Sequence, residues 1–209
     1  LRFGLHSMLA SNELDHRYMV ETARMLLETA ETIAGRLDIR FEIINIGGGF
    51  PAFYGEDIAH PTAYAAAVMA QVEARFADAA RVMAEPGRGM VAEAGVIVSE
   101  VMLVSRKSDR DMHRWVYLDI GRFSGLAETE GEAIRYQFVT DHDGGETGPC
   151  ILAGPSCDSA DILYEKRPVQ LPTALRDGDK VMIRNCGAYT SSYSSVGFNG
   201  FPPLDVVVI

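Results

Sequence analysis

Hydrophobic positions in the first ninety residues change period from element to element. Residues 1–9 ("LRFGLHSML") are a largely apolar run that predicts a strand, followed by a polar loop over 10–15. In "RYMVETARMLLETAETIAGRL" (17–37) the apolar residues fall at helical spacing, with Gly35 near the end. "FEIINI" (41–46) is a short run stopped by Gly47, Gly48 and Gly49, the pattern of a strand buried on both faces. "HPTAYAAAVMAQVEARFADA" (60–79) predicts a second helix with Pro61 in its first turn, and "RVMAE" (81–85) a third strand. The order β-α-β-α-β marks a parallel sheet with covering helices.

The texture changes beyond Gly89. "VAEAGVIVSEVMLVSRK", "HRWVYLDIG", "AIRYQFVTD", "CILAGPSCDSADILYE", "DKVMIRNCGAY" and "LDVVVI" are strand-like runs separated by turn residues, which predicts a β-region. The expected boundary falls near residues 89–95, giving an α/β part over 1–90 and a β-domain over 91–209.

Composition narrows the class. With 209 residues and 47% hydrophobic content, the chain can bury a sizeable core. The formal net charge of −10, with lysine only at 107, 166 and 180, argues against a nucleic-acid surface, which needs a basic footprint. Cys150, Cys157 and Cys186 form no CxxC pair, which points to a reduced, cytoplasmic compartment. No apolar run reaches the roughly 18 residues of a membrane span, and no signal peptide is read. The histidines lack metal-ligand spacing, so no metal is expected. The chain opens inside a strand-like run, and an upstream portion is expected.

Several clusters could carry chemistry. The glycines at 47–49 let backbone N–H groups approach an anion, or simply make a tight turn. "AEPGRG" (84–89) ends a strand on Glu85 and sets Arg88 across a turn, at the end of a parallel sheet where ligands bind. The same pair could be a local salt bridge. "GPSCDSAD" (154–161) sets Cys157 beside Asp158: a catalytic thiol, or a packed structural one. "NCGAYTSSYSSVGFNGF" (185–201) offers hydroxyls for an anion site or for turns, and His6 and Met8 alternate on the first strand.

Taken together, "INIGGGFP", "AEPGRGMVAEAG", "LDIGRFSGLAET", "GPSCDSAD" and "GAYTSSYSSVGFNGF" resemble, in order and spacing, the fold-type III pyridoxal-phosphate decarboxylases of ornithine, lysine, arginine and diaminopimelate. That resemblance implies a (β/α)8 barrel, here its last three strands, followed by a mainly antiparallel β-domain. It implies that Glu85 binds the pyridine nitrogen of the cofactor, and that Arg88, Gly87 and Gly47–Gly49 hold the phosphate with Ser11 and Tyr189. It implies that Cys157 controls reprotonation, that Asp158 recognises the distal ammonium, and that both reach the site from the second subunit of a homodimer. Tyr136, in "GLAETEGEAIRYQF", corresponds to a tyrosine near the substrate in the bacterial ornithine/lysine branch. Asp158, where diaminopimelate enzymes usually carry Glu, favours a diamine product and a role in polyamine biosynthesis; Gln137 stands where eukaryotic ornithine enzymes have a second acid.

Two positions depart from the pattern. The Schiff-base lysine of the family belongs to an earlier barrel strand, and none of the three lysines here lies in the β-α part. In "GLHSMLASN", Met8 stands where relatives stack a histidine on the cofactor, and Ala10 replaces a glycine. The alternatives are a same-fold decarboxylase of a specialised pathway, such as siderophore assembly, and a non-catalytic regulatory homologue.

Overall fold

The computed structural model describes residues 3–8, 11–76 and 81–209. The start of the first predicted strand, Ala10 and the end of the second predicted helix lie outside the described residues. The chain divides into two compact units, Leu1–Ala92 and Glu93–Ile209.

In the first unit, strands β1 (Phe3–His6), β2 (Phe41–Asn45) and β3 (Arg81–Met83) form a parallel sheet in the order β1-β2-β3. Helix α1 (His16–Leu37) joins β1 to β2, and α2 (Pro61–Phe76) joins β2 to β3. Asp15 caps α1 by accepting the Arg17 N–H at 2.9 Å. The helix runs through Gly35 and stops at Asp38, which takes the left-handed conformation (φ 51°) and returns its N–H to the Ala34 carbonyl. The buried stripe of α1 is Met19, Ala23, Leu27 and Ala30, and that of α2 is Tyr64, Val68 and Val72. Both stripes close on Phe41, Ile44 and Ile46 in a single cluster. The Tyr64 hydroxyl donates to the Leu14 carbonyl at 2.6 Å and fixes the loop between β1 and α1.

Strand pairing is shorter than the hydrophobic runs suggest. β1 ends at His6, so Met8 lies beyond the strand and is exposed rather than sharing a strand face with His6. β3 pairs only to Met83, and Ala84 and Glu85 run past it. A four-residue helix, α3 (Arg88–Val91), follows.

The second unit is built on β4 (Ile97–Ser105), β5 (Arg114–Leu118), β6 (Gln137–Thr140), β7 (Thr147–Ala153), β8 (Ile162–Leu163), β9 (Val169–Pro172) and β10 (Lys180–Arg184). They make one mixed sheet in the order β6-β10-β4-β5-β7-β8, with β9 also on β7. Every pair is antiparallel except β5 with β7. β10 alternates exposed and buried residues, whereas β5 and β7 are buried along most of their length. Several predicted strands fall short: "VAEAGVIVSEVMLVSRK" opens in helical turns and pairs only over Ile97–Ser105, and a turn splits "CILAGPSCDSADILYE" between β7 and β8. In "AIRYQFVTD" only 137–140 pair, and "LDVVVI" is not a strand: Val206–Ile209 are exposed, with no strand of the described unit to pair with. A β-branched run without a neighbouring strand has nothing to hold it extended.

Candidate active site

Parallel strands end together, and in the first unit the polar residues sit at that end. His6 closes β1, Asn45 closes β2 in register with it, and Glu85 lies two residues beyond β3. Asn45 Nδ2 donates to Glu85 Oε1 at 2.7 Å, while Asn45 Oδ1 accepts the Gly47 N–H at 2.9 Å. His6 Nε2 is 3.3 Å from the same Glu85 oxygen. The Glu85 backbone N–H donates to the Gly47 carbonyl at 2.8 Å. Main chain and side chain of Glu85 are thus both tied to the end of β2. Its side chain is 53% exposed, and Oε2 takes no protein hydrogen bond among the described residues.

The three glycines have separate reasons to be there. Gly47 has φ 72°, and a Cβ on it would lie 1.7 Å from the Ser7 carbonyl oxygen. A Cβ on Gly48 would lie 2.7 Å from the Glu85 carbonyl oxygen, and Gly49 has φ 94°. Close approach of three strand ends therefore requires the first two. Among the described residues the N–H groups of Gly48 and Gly49 make no hydrogen bond, and they remain free to face an anion. The loop bearing Ser11 runs alongside: Glu13 N–H donates to the Gly49 carbonyl at 3.1 Å, and Asn12 Oδ1 accepts the Ala52 N–H at 3.3 Å. Ser11 itself is exposed.

Gly87 has φ 30° and ψ −98°, a backbone state that suits glycine, and it turns the chain into α3. Arg88 is buried, its Nη1 donating to the Tyr54 hydroxyl at 3.0 Å and its guanidinium 5.8 Å from the Tyr54 ring centre. The loop after the glycines therefore positions the arginine of the "EPGR" turn.

In the second unit, Cys157 is exposed and left-handed, with φ 60°. Asp158 Oδ1 accepts the Ala160 N–H at 2.8 Å. Beneath them Asp161 is 2% exposed, its Oδ1 accepting the Arg122 N–H at 2.7 Å and its Oδ2 the Ser156 N–H at 3.2 Å. Side chains on Gly121 or Gly154 would collide with that carboxylate, at 2.1 and 2.3 Å. Tyr136 is buried, and its N–H donates to the Tyr164 hydroxyl at 3.0 Å. Tyr189 is half-exposed with φ 54°. The other two thiols are buried: burial pushes Cys186 up to about 12, and burial raises Cys150 although the Arg114 guanidinium pulls the other way.

Sequence reasoning passed over Asn45, Tyr54, Asp161 and Asn199. Asn45 carries a usable signal, since a polar residue closes an apolar strand there as Glu85 does after β3. The partners of Tyr54 and Asn199 lie 34 and 43 residues away, with no local mark.

The model of the pyridoxal-dependent decarboxylase C-terminal sheet domain matches residues 13–187. This chain belongs to the pyridoxal-dependent decarboxylases. It is 30% identical over 206 residues to a diaminopimelate decarboxylase of Helicobacter pylori, covering 96% of this chain and 47% of that protein. It is 33% identical over 210 residues to the lysine/ornithine decarboxylase of Selenomonas ruminantium, covering 95% and 49%. Among solved structures, the lysine/ornithine decarboxylase of Vibrio vulnificus in complex with cadaverine superposes with a TM-score of 0.84 at 30% identity, over 99% of this chain and 54% of that one. The chain spans about half the length of the curated relatives it matches. Among the described residues, no helix is long and apolar enough to cross a membrane.

Proposed function

We propose that this decarboxylase acts on a basic amino acid, lysine or ornithine, with pyridoxal phosphate as cofactor, and releases a diamine for polyamine synthesis in the cytoplasm. Residues 1–90 are the last three strands of its (β/α)8 barrel and 91–209 its β-domain. The observation that carries this reading is the meeting of Glu85, Asn45, His6 and the Gly47–Gly49 loop where three parallel strands end. The residues fit the cofactor: an exposed carboxylate oxygen, two N–H groups without a partner among the described residues and a buried guanidinium are the groups a protonated ring nitrogen and a phosphate require.

Pyridoxal phosphate, when bound, supplies an electron sink for the electron pair left behind by carbon dioxide. Glu85 holds the proton at the ring nitrogen through Oε2, while Asn45 and His6 fix Oε1 so that the acid does not rotate away. Arg88, Gly87, the N–H groups of Gly48 and Gly49, Ser11 and Tyr189 bind the phosphate. Met8 packs on the ring face, where sulfur contributes dispersion without a hydrogen bond. Asp158 pairs with the distal ammonium, Tyr136 borders the substrate, and Cys157 delivers a proton to Cα. Asp158 is a shorter acid than the usual residue of diaminopimelate enzymes, which favours a distal end that carries an ammonium alone, without a second carboxylate.

The test uses full-length protein. It should show a cofactor absorbance band and turn over lysine or ornithine faster than meso-diaminopimelate. Glu85→Gln should keep the band and lose about a hundredfold or more in turnover, because holding the ring proton matters mainly in the transition state. Wild-type turnover in that variant sinks the assignment.

A further inference from the structure

The turn that carries Cys157 and Asp158 is held at both of its critical peptide units by residues outside the "CD" pair. The peptide N–H of Ser156 donates to the buried Asp161 carboxylate at 3.2 Å. The Ser156 carbonyl, half of the next peptide unit, accepts from Asn199 Nδ2 at 2.7 Å. The next two units are fixed from within: the Asp158 N–H donates to Ser156 Oγ at 3.4 Å, and the Asp158 carbonyl accepts the Asp161 N–H at 3.0 Å. Between these restraints Cys157 adopts φ 60° with its thiol exposed. A residue with a Cβ keeps that conformation only where its surroundings over-determine it.

Asn199 is itself well anchored. It lies in the 3-10 turn Phe198–Gly200, whose Phe198 ring packs on Phe123 with centres 4.4 Å apart. Next to it, the Gly197 N–H donates to the Phe201 carbonyl at 2.9 Å and the Ser195 N–H to the Phe123 carbonyl at 2.8 Å. Asp161 is held in turn by the Arg122 N–H on the other side. The Asp161 carboxylate and Asn199 thus meet the peptide groups on either side of Ser156, and the loop at Arg122 holds Asp161 in place.

We propose that Asn199 and Asp161 are positioning residues for Cys157: together they clamp the two peptide groups that flank Ser156 and hold the cysteine in its left-handed, exposed pose. The proposal rests on the role assigned above to the Cys157 thiol. Asn199 acts on geometry alone, by donating to one carbonyl. Its loss lets the peptide rotate and the cysteine relax to an ordinary negative φ, which moves the sulfur without removing it.

Asn199→Asp is the sharp variant. It preserves shape at an exposed position and replaces the donating amide by a carboxylate that repels the Ser156 carbonyl. In the full-length, cofactor-loaded enzyme, kcat should fall about tenfold or more while KM stays within about twofold. Combined with Cys157→Ala it should add no further loss, since both changes remove the same positioned thiol. Asp161→Asn should behave in the same way as far as it folds. Amide exchange across residues 156–161 should quicken about tenfold in Asn199→Asp and not elsewhere. Normal kcat in Asn199→Asp beside an impaired Cys157→Ala overturns the clamp, as does a fully additive loss in the double variant. Full turnover in Cys157→Ala instead overturns the role of the thiol; the clamp then stands or falls on the exchange rates, and unchanged protection at 156–161 refutes it.

Discussion

Gly47 and Gly144 share a left-handed backbone, with φ 72° and 91°, yet only one is enclosed. A Cβ on Gly47 would sit 1.7 Å from the Ser7 carbonyl oxygen, whereas one on Gly144 meets nothing within 4 Å. The pair separates conformational strain from collision. Gly144→Ala should cost about 1 kcal/mol, the penalty of a left-handed alanine. Gly47→Ala should cost more than about 3 kcal/mol and loosen Glu85, because β1 or the loop after β2 must move. Thermal unfolding of the two variants in the full-length protein checks this, and equal losses would mean that the end of β1 yields freely. Glycine at 47 is legible in sequence as a turn or an anion loop. Its reason, the Ser7 carbonyl just past the end of β1, is visible only in three dimensions.

At the scale of elements, the irregular segments are held as firmly as the strands. The 3-10 segment Ala127–Glu132 ends on buried Glu132, whose Oε1 accepts the N–H groups of Lys166 (2.8 Å) and Arg167 (3.1 Å). Its Oε2 meets the guanidinium groups of Arg135 (2.9 Å) and Arg167 (3.0 Å). Burial works to raise this carboxyl, but those N–H groups and the two arginines outweigh it and hold it below the ordinary 4.5. A carboxylate depressed in the folded state stabilises above its unfolded value and loses that contribution as pH falls through its folded one. Glu132→Gln should therefore cost about 1–3 kcal/mol near pH 7, and the gap to wild type should close as pH falls below 4.5. Urea midpoints taken across that range test it; a gap constant with pH would assign the loss to packing. Helices α1 and α2 were legible because their apolar residues repeat at helical spacing. "LDVVVI" misled for the opposite reason, since propensity is local and a strand needs a partner. Asp161 and Asn199 left no trace in the pattern, because each acts through a peptide group in another loop.

For the whole molecule, the homodimer that the family resemblance implies would place Cys157 and Asp158 in the site of the other subunit. Mixing a Cys157→Ala protein with one lacking the upstream lysine should then restore part of the activity, since one hybrid site in each mixed dimer is intact. Absence of rescue after verified subunit exchange would assign each site to one chain. The motifs that carry the family resemblance were legible along nearly the entire chain. The units that support them were less so, because a sheet in the order β6-β10-β4-β5-β7-β8 joins segments that no local pattern pairs.

That strand order also sets a clock. β4 takes β10 as a neighbour, and Glu100 pairs with Lys180, 80 residues further on. At synthesis rates of about 5–20 residues per second, a nascent β4 waits roughly 4–16 s before its partner is made. During that interval the Ile97–Glu100 half of β4, which pairs with β10, has its hydrogen-bonding edge open. The second unit thus rests on pairing between distant segments, the kind of topology that folds slowly.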